Sequence, residues 1–360
     1  MRHYRKLAVA VLVGLCAGAA APAIAQEHKF TYQSYATRGW AAVETDMWLL
    51  DEISKRSNGA IEFETYFGGS LLGAREIAPG TGQGVIQIGN IPVQYNPDLL
   101  PLSDIVQPFI TSRLDAASDA VHRLYKENAA FAKEYADNNL KLLYVQVVPE
   151  SIIATNQKIE GPQDLQGLRI RAQSIIGEVI DSFGGTSVAI PWGEAVDVFQ
   201  RGGIDGLSSA AFDIAVTSGV NEVATHFGDL GGAGAWATIM TAMNVDAYNS
   251  LSPELQAVID EVAAEAPAKY FEILNEHVEK AIETVANAKS VTITLSSEED
   301  VAVYREAAAQ FRAAWIERME QRGLPASEVM GQYIEFVNEA EATSTFEPLL
   351  KRALERRNQN

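Results

Sequence analysis

The chain has 360 residues, 47% hydrophobic and 21% charged, which is enough for more than one packed domain. Its 28 Lys and Arg against 47 Asp and Glu give a net charge of −19. Such an acidic chain repels nucleic-acid phosphates and anionic lipid surfaces, which argues against both as partners. Solubility, or life at high salt, is the simpler explanation of the acidity, and neither identifies a ligand.

The first 25 residues have the pattern of a cleavable export signal. Arg2, Arg5 and Lys6 precede an apolar run from Leu7 to Ala21, and Ala23-Ile24-Ala25 forms an A-x-A cleavage site. The run is shorter than the ~20 residues of a membrane-spanning helix. We therefore expect cleavage after Ala25, a periplasmic location and no direct membrane anchor.

Removing residues 1–25 leaves 25 basic against 47 acidic residues, a net charge of −22. It also leaves no cysteine, because Cys16 lies within the removed segment. A disulfide framework, a thiolate metal site and a cysteine nucleophile are therefore excluded for the mature chain.

Apolar strands alternate with helical periods over the first 240 residues, a pattern typical of an α/β fold. The first half is predicted to contain strands at 30–35, 61–67, 85–88 and 140–148, helices at 43–53 and 115–138, and a Gly-rich stretch at 68–84. A second series has predicted strands at 152–155, 168–172, 187–190 and 206–209, with helices after Ser174, Trp192 and Ala211. A strand at 239–245 then returns to the first lobe.

The last third of the chain has long helical periods. Ser252-Pro253 is a good helix start, and the apolar ladder behind it continues for more than thirty residues past Pro267. The box Ser296-x-x-Glu299 predicts the start of another helix. The predicted organisation is domain I at 26–149 plus about 239–270, domain II at 150–238 plus about 290–325, a helix at about 252–288 spanning both, and a C-terminal helical segment at 326–360.

Patterns of catalytic chemistry are scarce. The chain contains no H-E-x-x-H, G-x-S-x-G or P-loop motif. His226-x-x-Asp229 offers two metal ligands where three or four are needed, and Gly80-x-Gly82-x-Gly84 precedes a strand rather than a helix. We predict no catalytic residue, metal or cofactor, and favour a two-lobed binding protein over an enzyme.

The most informative stretch surrounds two arginines. Arg169 and Arg171 share one face of the predicted strand at 168–172, just before a helix that begins near Ser174. A guanidinium at the carboxyl end of a strand, beside a helix N-terminus, can bind a carboxylate through two parallel hydrogen bonds. Two surface arginines on an edge strand are the alternative interpretation. Trp192 and Ser209 end the next two strands, and carboxyl ends of neighbouring strands face one crevice.

These residues belong to a set of segments that resembles the solute-binding subunit of TRAP (tripartite ATP-independent periplasmic) transporters, of the DctP type. The set extends in order from residue 29 to about 320. Its members are 67–76 (FGGSLLGARE), 84–90 (GVIQIGN), 97–99 (PDL), 107–109 (QPF), 164–171 (DLQGLRIR), 191–196 (PWGEAV) and 200–206 (QRGGIDG).

The resemblance implies an α/β two-domain periplasmic binding protein with an interdomain cleft and a long domain-spanning helix. It implies capture of a small organic acid and its delivery to small DctQ-type and large DctM-type membrane subunits for ion-gradient-driven uptake. Arg171 inherits the family's carboxylate-binding role. The positions that commonly touch ligand are Ser174, Ser209, Gln33 and Asn90.

Departures from the family pattern narrow the ligand. Sialic-acid binders carry an arginine where this chain has Ser151 and a glutamate where it has Pro92, so a sialic acid is disfavoured. One arginine with hydroxyls, Trp192, Phe212 and Trp236 suggests a monocarboxylate or a compact, partly apolar acid. A C4-dicarboxylate needs a second cation, for which Arg38 and Arg169 are candidates. The alternatives are an ABC-type binding protein and a periplasmic enzyme using Glu194, Asp205 or Asp213.

Overall fold

The computed structural model describes residues 28–359, so the predicted signal peptide and its cleavage site lie outside the described residues. The strands in this range are β1 (His28–Ser34), β2 (Ile61–Tyr66), β3 (Ile88–Pro92), β4 (Leu140–Val148), β5 (Ser151–Thr155), β6 (Arg169–Arg171), β7 (Thr186–Val188), β8 (Gly206–Ala211), β9 (His226–Gly228), β10 (Ala237–Asn244) and β11 (Thr292–Thr294).

The strands form two sheets. The first has the order β2-β1-β3-β10-β4, with β1 parallel to β2 and β3, and with β10 antiparallel to both of its neighbours. The second has the order β11-β9-β5-β8-β6-β7, in which β6 is parallel to β7 and β8. Parallel strands place their carboxyl ends at one edge of a sheet, which is where ligands bind in such folds.

Helices cover the sheets and connect them. They are α1 (Ala41–Arg56), α2 (Ile77–Gly82), α3 (Leu114–Glu127), α4 (Ala129–Asp137), α5 (Ser174–Ser182), α6 (Trp192–Gln200), α7 (Phe212–Thr217), α8 (Val220–Val223), α9 (Val245–Asn249), α10 (Pro253–Asn287), α11 (Glu298–Gln321), α12 (Ala326–Glu341) and α13 (Leu349–Gln359). None of the helices within 28–359 is long and apolar enough to cross a membrane.

The longest helix, α10, has 35 residues and packs against β4 of the first sheet and against α7, the helix that follows β8 of the second sheet. Ser252 caps it by accepting a hydrogen bond from the Leu255 amide, and Pro267 lies inside it. At 1.5 Å per residue the helix is about 50 Å long. On one side it contacts α1 and β4, where the Tyr270 hydroxyl donates to the Val147 carbonyl at 3.0 Å, and on the other it contacts α7. The predicted α/β fold of two domains with a long spanning helix is confirmed, whereas the exact domain boundaries stay predictions.

Three local predictions differ from the structure. The Gly-rich stretch contains the short helix α2, and the strand expected at 85–88 begins at Ile88. The helix expected at 115–138 is broken at Asn128, whose side chain caps α4 by accepting from the Phe131 amide at 2.9 Å. The cap of α11 is Ser297 rather than Ser296, because the Ser296 hydroxyl donates to Asp229 at 2.7 Å instead.

A buried carboxylate ties the first sheet to α1. Asp46, on α1, is fully buried and accepts hydrogen bonds from Tyr32 at 2.6 Å, Asn90 at 2.7 Å, Tyr144 at 2.5 Å and Thr241 at 2.6 Å. These four donors lie on β1, β3, β4 and β10. One side chain thus connects four strands, and it fixes the strand ends of β1 and β3 that reach the site described next.

Candidate functional site

A small cavity lies between the two sheets, and we call it the aromatic chamber. Five aromatic side chains wall it, together with Arg171 and Ser209: these rings are Tyr35, Trp40, Tyr95, Trp192 and Trp236. The space left for the centres of water-sized molecules is about 20 Å³, room for about one water molecule.

The chamber is built from strand ends and helix starts. Tyr35 directly follows β1, and Tyr95 ends a 3₁₀ turn directly after β3. From the second sheet, Arg171 is the last residue of β6 and Trp192 the first residue of α6. Each domain therefore supplies one side of the chamber, as the strand-end rule requires.

Arg171 is 1% exposed and is the only Arg or Lys among the buried residues of the described chain. Its Nε donates to the Ile190 carbonyl at 3.0 Å. Its Nη1 donates to the carbonyls of Ser208 at 3.1 Å and Ser209 at 2.6 Å. No carboxylate of the described residues forms an ion pair with it. Burial lowers the pKa of this guanidinium, which stays charged because the ordinary value is far above neutral.

The rings of the chamber contact each other edge to face. Tyr35 lies 5.9 Å from Trp40 and 5.9 Å from Tyr95, measured between ring centroids. The Arg171 guanidinium lies 5.5 Å from the centre of the Trp192 ring. The Trp192 indole donates to the Ser218 hydroxyl at 3.0 Å, whereas the buried indole N–H of Trp236 has no partner within 28–359. These walls favour a flat, partly apolar solute.

Two open clefts flank the chamber. One, of about 540 Å³, shares Gln94 and Tyr95 with it and is also lined by Ser174 and Asp104. The other, of about 420 Å³, shares Tyr35, Trp40 and Trp192 with it. The chamber therefore adjoins a cleft on each side through these shared side chains.

Two of the predicted serines adopt left-handed backbone conformations beside Arg171. Ser174 has φ +47° and Ser209 has φ +50°, values that cost energy for a residue other than glycine. The Ser209 hydroxyl accepts a hydrogen bond from the backbone amide of Gln173 at 2.9 Å. The Ser174 hydroxyl lies 3.4 Å from Asp104 in the larger cleft.

The nine predicted ligand contacts separate into three groups. Four line the chamber, and they are Arg171, Trp192, Ser209 and Trp236. Ser174 lines the adjoining cleft. The remaining four line neither space and have other partners: they are Gln33, Asn90, Ser151 and Phe212. Contact of any of the nine with ligand stays a prediction.

The partners of this last group explain its position. The Gln33 amide bonds the backbone of Leu72 in both directions, at 2.6 and 2.9 Å. Asn90 donates to Asp46, Ser151 lies 3.4 Å from the Ser208 hydroxyl, and Phe212 is buried in the apolar core. Each side chain faces a neighbouring strand or loop, which sequence spacing does not reveal.

The two candidates for a second cation are already paired. Arg169 forms a two-pronged ion pair with Asp205, at 2.9 and 3.0 Å, and both are exposed. Arg38 pairs with Glu44 at 2.7 Å and lines the 420 Å³ cleft. Neither lines the chamber. In the described part of the chain, no cluster of three or more His, Cys, Asp or Glu residues could hold a metal ion.

Three residues that line the chamber were not predicted from the sequence, namely Tyr35, Trp40 and Tyr95. The signal for Tyr35 and Tyr95 was present, because each follows a strand of the first sheet at its carboxyl end. The strand that precedes Tyr95 was predicted to end at residue 88, four residues before its observed end at Pro92, which hid the position of Tyr95. Trp40 comes directly before α1, and only the tertiary structure brings it to the chamber.

Asp104 gives a pH-dependent prediction for stability. Its pKa is raised to about 7, chiefly by burial and also by the nearby carboxylates Glu134 and Glu178, while the hydrogen bond from Ser174 lowers it. A raised carboxyl pKa adds stability below the unfolded value near 4, and this contribution is lost as the pH rises through about 7. When the pH is raised from 5 to 8, we therefore expect the free energy of unfolding of Asp104→Asn to increase relative to that of the wild type by about 1–2 kcal/mol.

Urea unfolding at both pH values measures this difference. Asp98→Asn is the control, because Asp98 is an exposed carboxyl lining the same cleft. Equal pH profiles for the wild type and Asp104→Asn would contradict the prediction.

The family model for "bacterial extracellular solute-binding protein, family 7" (DctP) matches residues 44–318. The chain belongs to this family. The resemblance to TRAP solute-binding subunits of the DctP type is thereby confirmed, and with it transport by solute binding in partnership with DctQ-type and DctM-type membrane subunits. The family is periplasmic, and its members are transport-binding proteins rather than enzymes.

Several characterised proteins are similar to this family 7 protein over most of their length. The ectoine-binding periplasmic protein TeaA of Halomonas elongata is 26% identical over 336 residues, 90% of this chain and 94% of TeaA. Its crystal structure has a TM-score of 0.75, with 86% of this chain and 99% of that chain covered at 23% identity. A marine-metagenome TRAP protein specific for aromatic acids, solved with 3-hydroxybenzoate, has a TM-score of 0.78 at 22% identity, covering 88% and 99%.

Proposed function

We propose that this family 7 protein captures a small carboxylate carrying a flat ring, in the aromatic chamber, for delivery to its membrane subunits. The observation that carries the proposal is Arg171, a buried cation without a carboxylate partner among the described residues, in a cavity walled by aromatic rings. A buried charge is costly unless an opposite charge accompanies it. The carboxylate of a solute supplies that charge.

The walls of the chamber support a ring-bearing solute. Tyr35, Trp40, Tyr95, Trp192 and Trp236 offer faces and edges for stacking, and relatives of this fold include proteins for ectoine and 3-hydroxybenzoate. Both compounds combine a ring with a carboxylate. A C4-dicarboxylate is disfavoured because Arg38 and Arg169 are paired elsewhere.

Binding requires the two domains to separate. The chamber has about 20 Å³, whereas pockets for small ligands measure roughly 300–1,000 Å³. The hydrogen bonds across this interface include two that the Tyr95 hydroxyl accepts, from Arg171 and from the backbone amide of Trp192. Another is donated by the Ser174 hydroxyl to Asp104. Such sparse polar contacts allow a hinge motion that admits the solute.

The same proposal includes export and the absence of turnover. Cleavage after Ala25 gives a mature chain that begins at Gln26, which mass spectrometry of the secreted protein tests. Glu194, Asp205 and Asp213 line no part of the chamber, and within 28–359 no carboxyl or imidazole group does. We therefore expect the bound acid to be released chemically unchanged, as ¹H NMR of the solute after incubation would show.

A thermal-shift screen of residues 26–360 tests the ligand class. The panel contains ectoine, benzoate, 3-hydroxybenzoate, uronates, C4-dicarboxylates, 2-oxo acids and sulfonates, each with a neutral analogue. A ligand at 100 times its Kd stabilises by ~2.7 kcal/mol, a shift in Tm of a few degrees. We expect shifts confined to ring carboxylates. Shifts produced by neutral analogues alone would refute the carboxylate assignment.

A further inference from the structure

We propose that Tyr95 is the specificity-determining residue of the chamber, and that its hydroxyl donates a hydrogen bond to the carboxylate of the bound solute. This inference rests on the proposed function and adds a second recognition group beside Arg171. Tyr95 belongs to the domain of the first sheet, whereas Arg171 belongs to that of the second.

The hydroxyl of Tyr95 is held from the opposite domain. Arg171 Nη2 donates to it at 3.1 Å, and the backbone amide of Trp192 donates to it at 3.1 Å. Tyr95 is 7% exposed, and its ring packs edge-on against Tyr35. Two N–H donors therefore converge on one buried oxygen, and they orient the hydroxyl.

This arrangement leaves the proton of the hydroxyl without an acceptor. A hydroxyl has two lone pairs and one hydrogen, and both lone pairs of Tyr95 already accept. Among residues 28–359, no group accepts from the Tyr95 hydroxyl, although Tyr95 lines the chamber. A buried donor without an acceptor is costly, so an acceptor brought by the solute restores the missing bond.

The number of free N–H groups on Arg171 also indicates that the Tyr95 hydroxyl is needed as a donor. A guanidinium has five N–H groups. Three of those of Arg171 donate to the carbonyls of Ile190, Ser208 and Ser209, and one donates to Tyr95. One N–H, on Nη2, is left for a ligand. The donors available to the two oxygens of a carboxylate are therefore this N–H and the Tyr95 O–H.

The position of Tyr95 across the domain interface from Arg171 has a kinetic consequence. Because Tyr95 reaches Arg171 and Trp192 across the domain interface, its bond to the solute forms only after closure. Loss of the hydroxyl therefore speeds release and leaves capture by the open form unchanged, since contacts in the closed complex act on koff. A residue with a purely structural role would not divide the rates in this way.

The test compares Tyr95→Phe with Tyr66→Phe, using ectoine and 3-hydroxybenzoate as probes. Tyr66 is the control because it lies on β2, lines neither the chamber nor the two clefts, and likewise loses a hydroxyl, which donates to Glu64 at 2.8 Å. Stopped-flow tryptophan fluorescence gives kon and koff, and far-UV circular dichroism checks folding. We expect Tyr95→Phe to weaken binding about 10- to 100-fold, mainly through koff, and Tyr66→Phe to stay within about threefold of wild type.

The outcomes separate this inference from the proposed function. Wild-type affinity in folded Tyr95→Phe, or equal losses in both variants, would overturn the role of Tyr95 and leave the carboxylate proposal intact. Failure of the wild type to bind either probe would overturn the ring-carboxylate proposal and, with it, the role of Tyr95. A selective rise in koff for Tyr95→Phe supports both.

Discussion

Arg171→Ala is expected to weaken binding of the carboxylate ligand by about 30- to 1,000-fold, equivalent to roughly 2–4 kcal/mol. The physical reason is the loss of the only buried cation of the described chain, in a chamber that holds no other positive group. Arg171→Lys is expected to bind poorly as well, because an ammonium cannot donate to Ile190, Ser208, Ser209 and the ligand at once.

The same substitution affects stability. Removing the guanidinium leaves the carbonyls of Ile190, Ser208 and Ser209 without this donor, at a cost of about 1–3 kcal/mol. Isothermal titration should therefore be carried out well below the measured Tm of each variant. Arg169→Ala is the matched control, since Arg169 lies two residues away, is exposed and pairs with Asp205. Near-native affinity in folded Arg171→Ala, or an equal loss in Arg169→Ala, would contradict the assignment.

Asp46→Ala is expected to lower the free energy of unfolding by about 3–5 kcal/mol. The substitution leaves the hydroxyls of Tyr32, Tyr144 and Thr241 and the amide of Asn90 buried without their acceptor. Urea unfolding followed by circular dichroism measures the loss. Ligand affinity should fall too, because the freed strands carry Tyr35 and Tyr95 at their ends.

The control for this variant lies on the same helix. Asp51 is an exposed residue of α1, so Asp51→Ala changes the charge of the helix equally without touching the buried network. The stability of Asp46→Asn should lie between those of Asp46→Ala and Asp51→Ala, because the amide side chain keeps only one of the two acceptor oxygens. Equal stability of Asp46→Ala and Asp51→Ala would show that the buried hydrogen bonds contribute nothing net.

The proposed role of Arg171 as the anion-binding group follows from local pattern. Strand periodicity placed it at the end of β6, and the helix starting at Ser174 followed it directly. The partners of its N–H groups were not predictable, because Ile190, Ser208 and Ser209 approach from loops and a strand 19 to 38 residues away. From the sequence alone, the Arg171 guanidinium is expected to bind a carboxylate by itself through two parallel hydrogen bonds. In the structure only one of its five N–H groups is free for a ligand.

Other residues also show that the position of a side chain along a strand does not reveal its partners. Gln33 and Asn90 lie on β1 and β3 and were expected to touch ligand, but each points to a neighbouring segment within its own domain. Tyr95 was passed over and lies in the chamber. A polar residue near a strand end has a known position along the strand. Its direction depends on twist, register and the turn that follows.

The sequence by itself determined the family, the α/β class, the long helix after Ser252 and the position of Arg171 at the end of a strand, because helical and strand periods and ordered motifs are local properties of the chain. Only the tertiary structure decided which aromatic rings wall the chamber and which side chains meet across the domain interface. Those contacts join residues far apart in the chain, such as Tyr95 and Trp192, which are 97 positions apart. Their geometry depends on how the two sheets pack, which no single segment encodes.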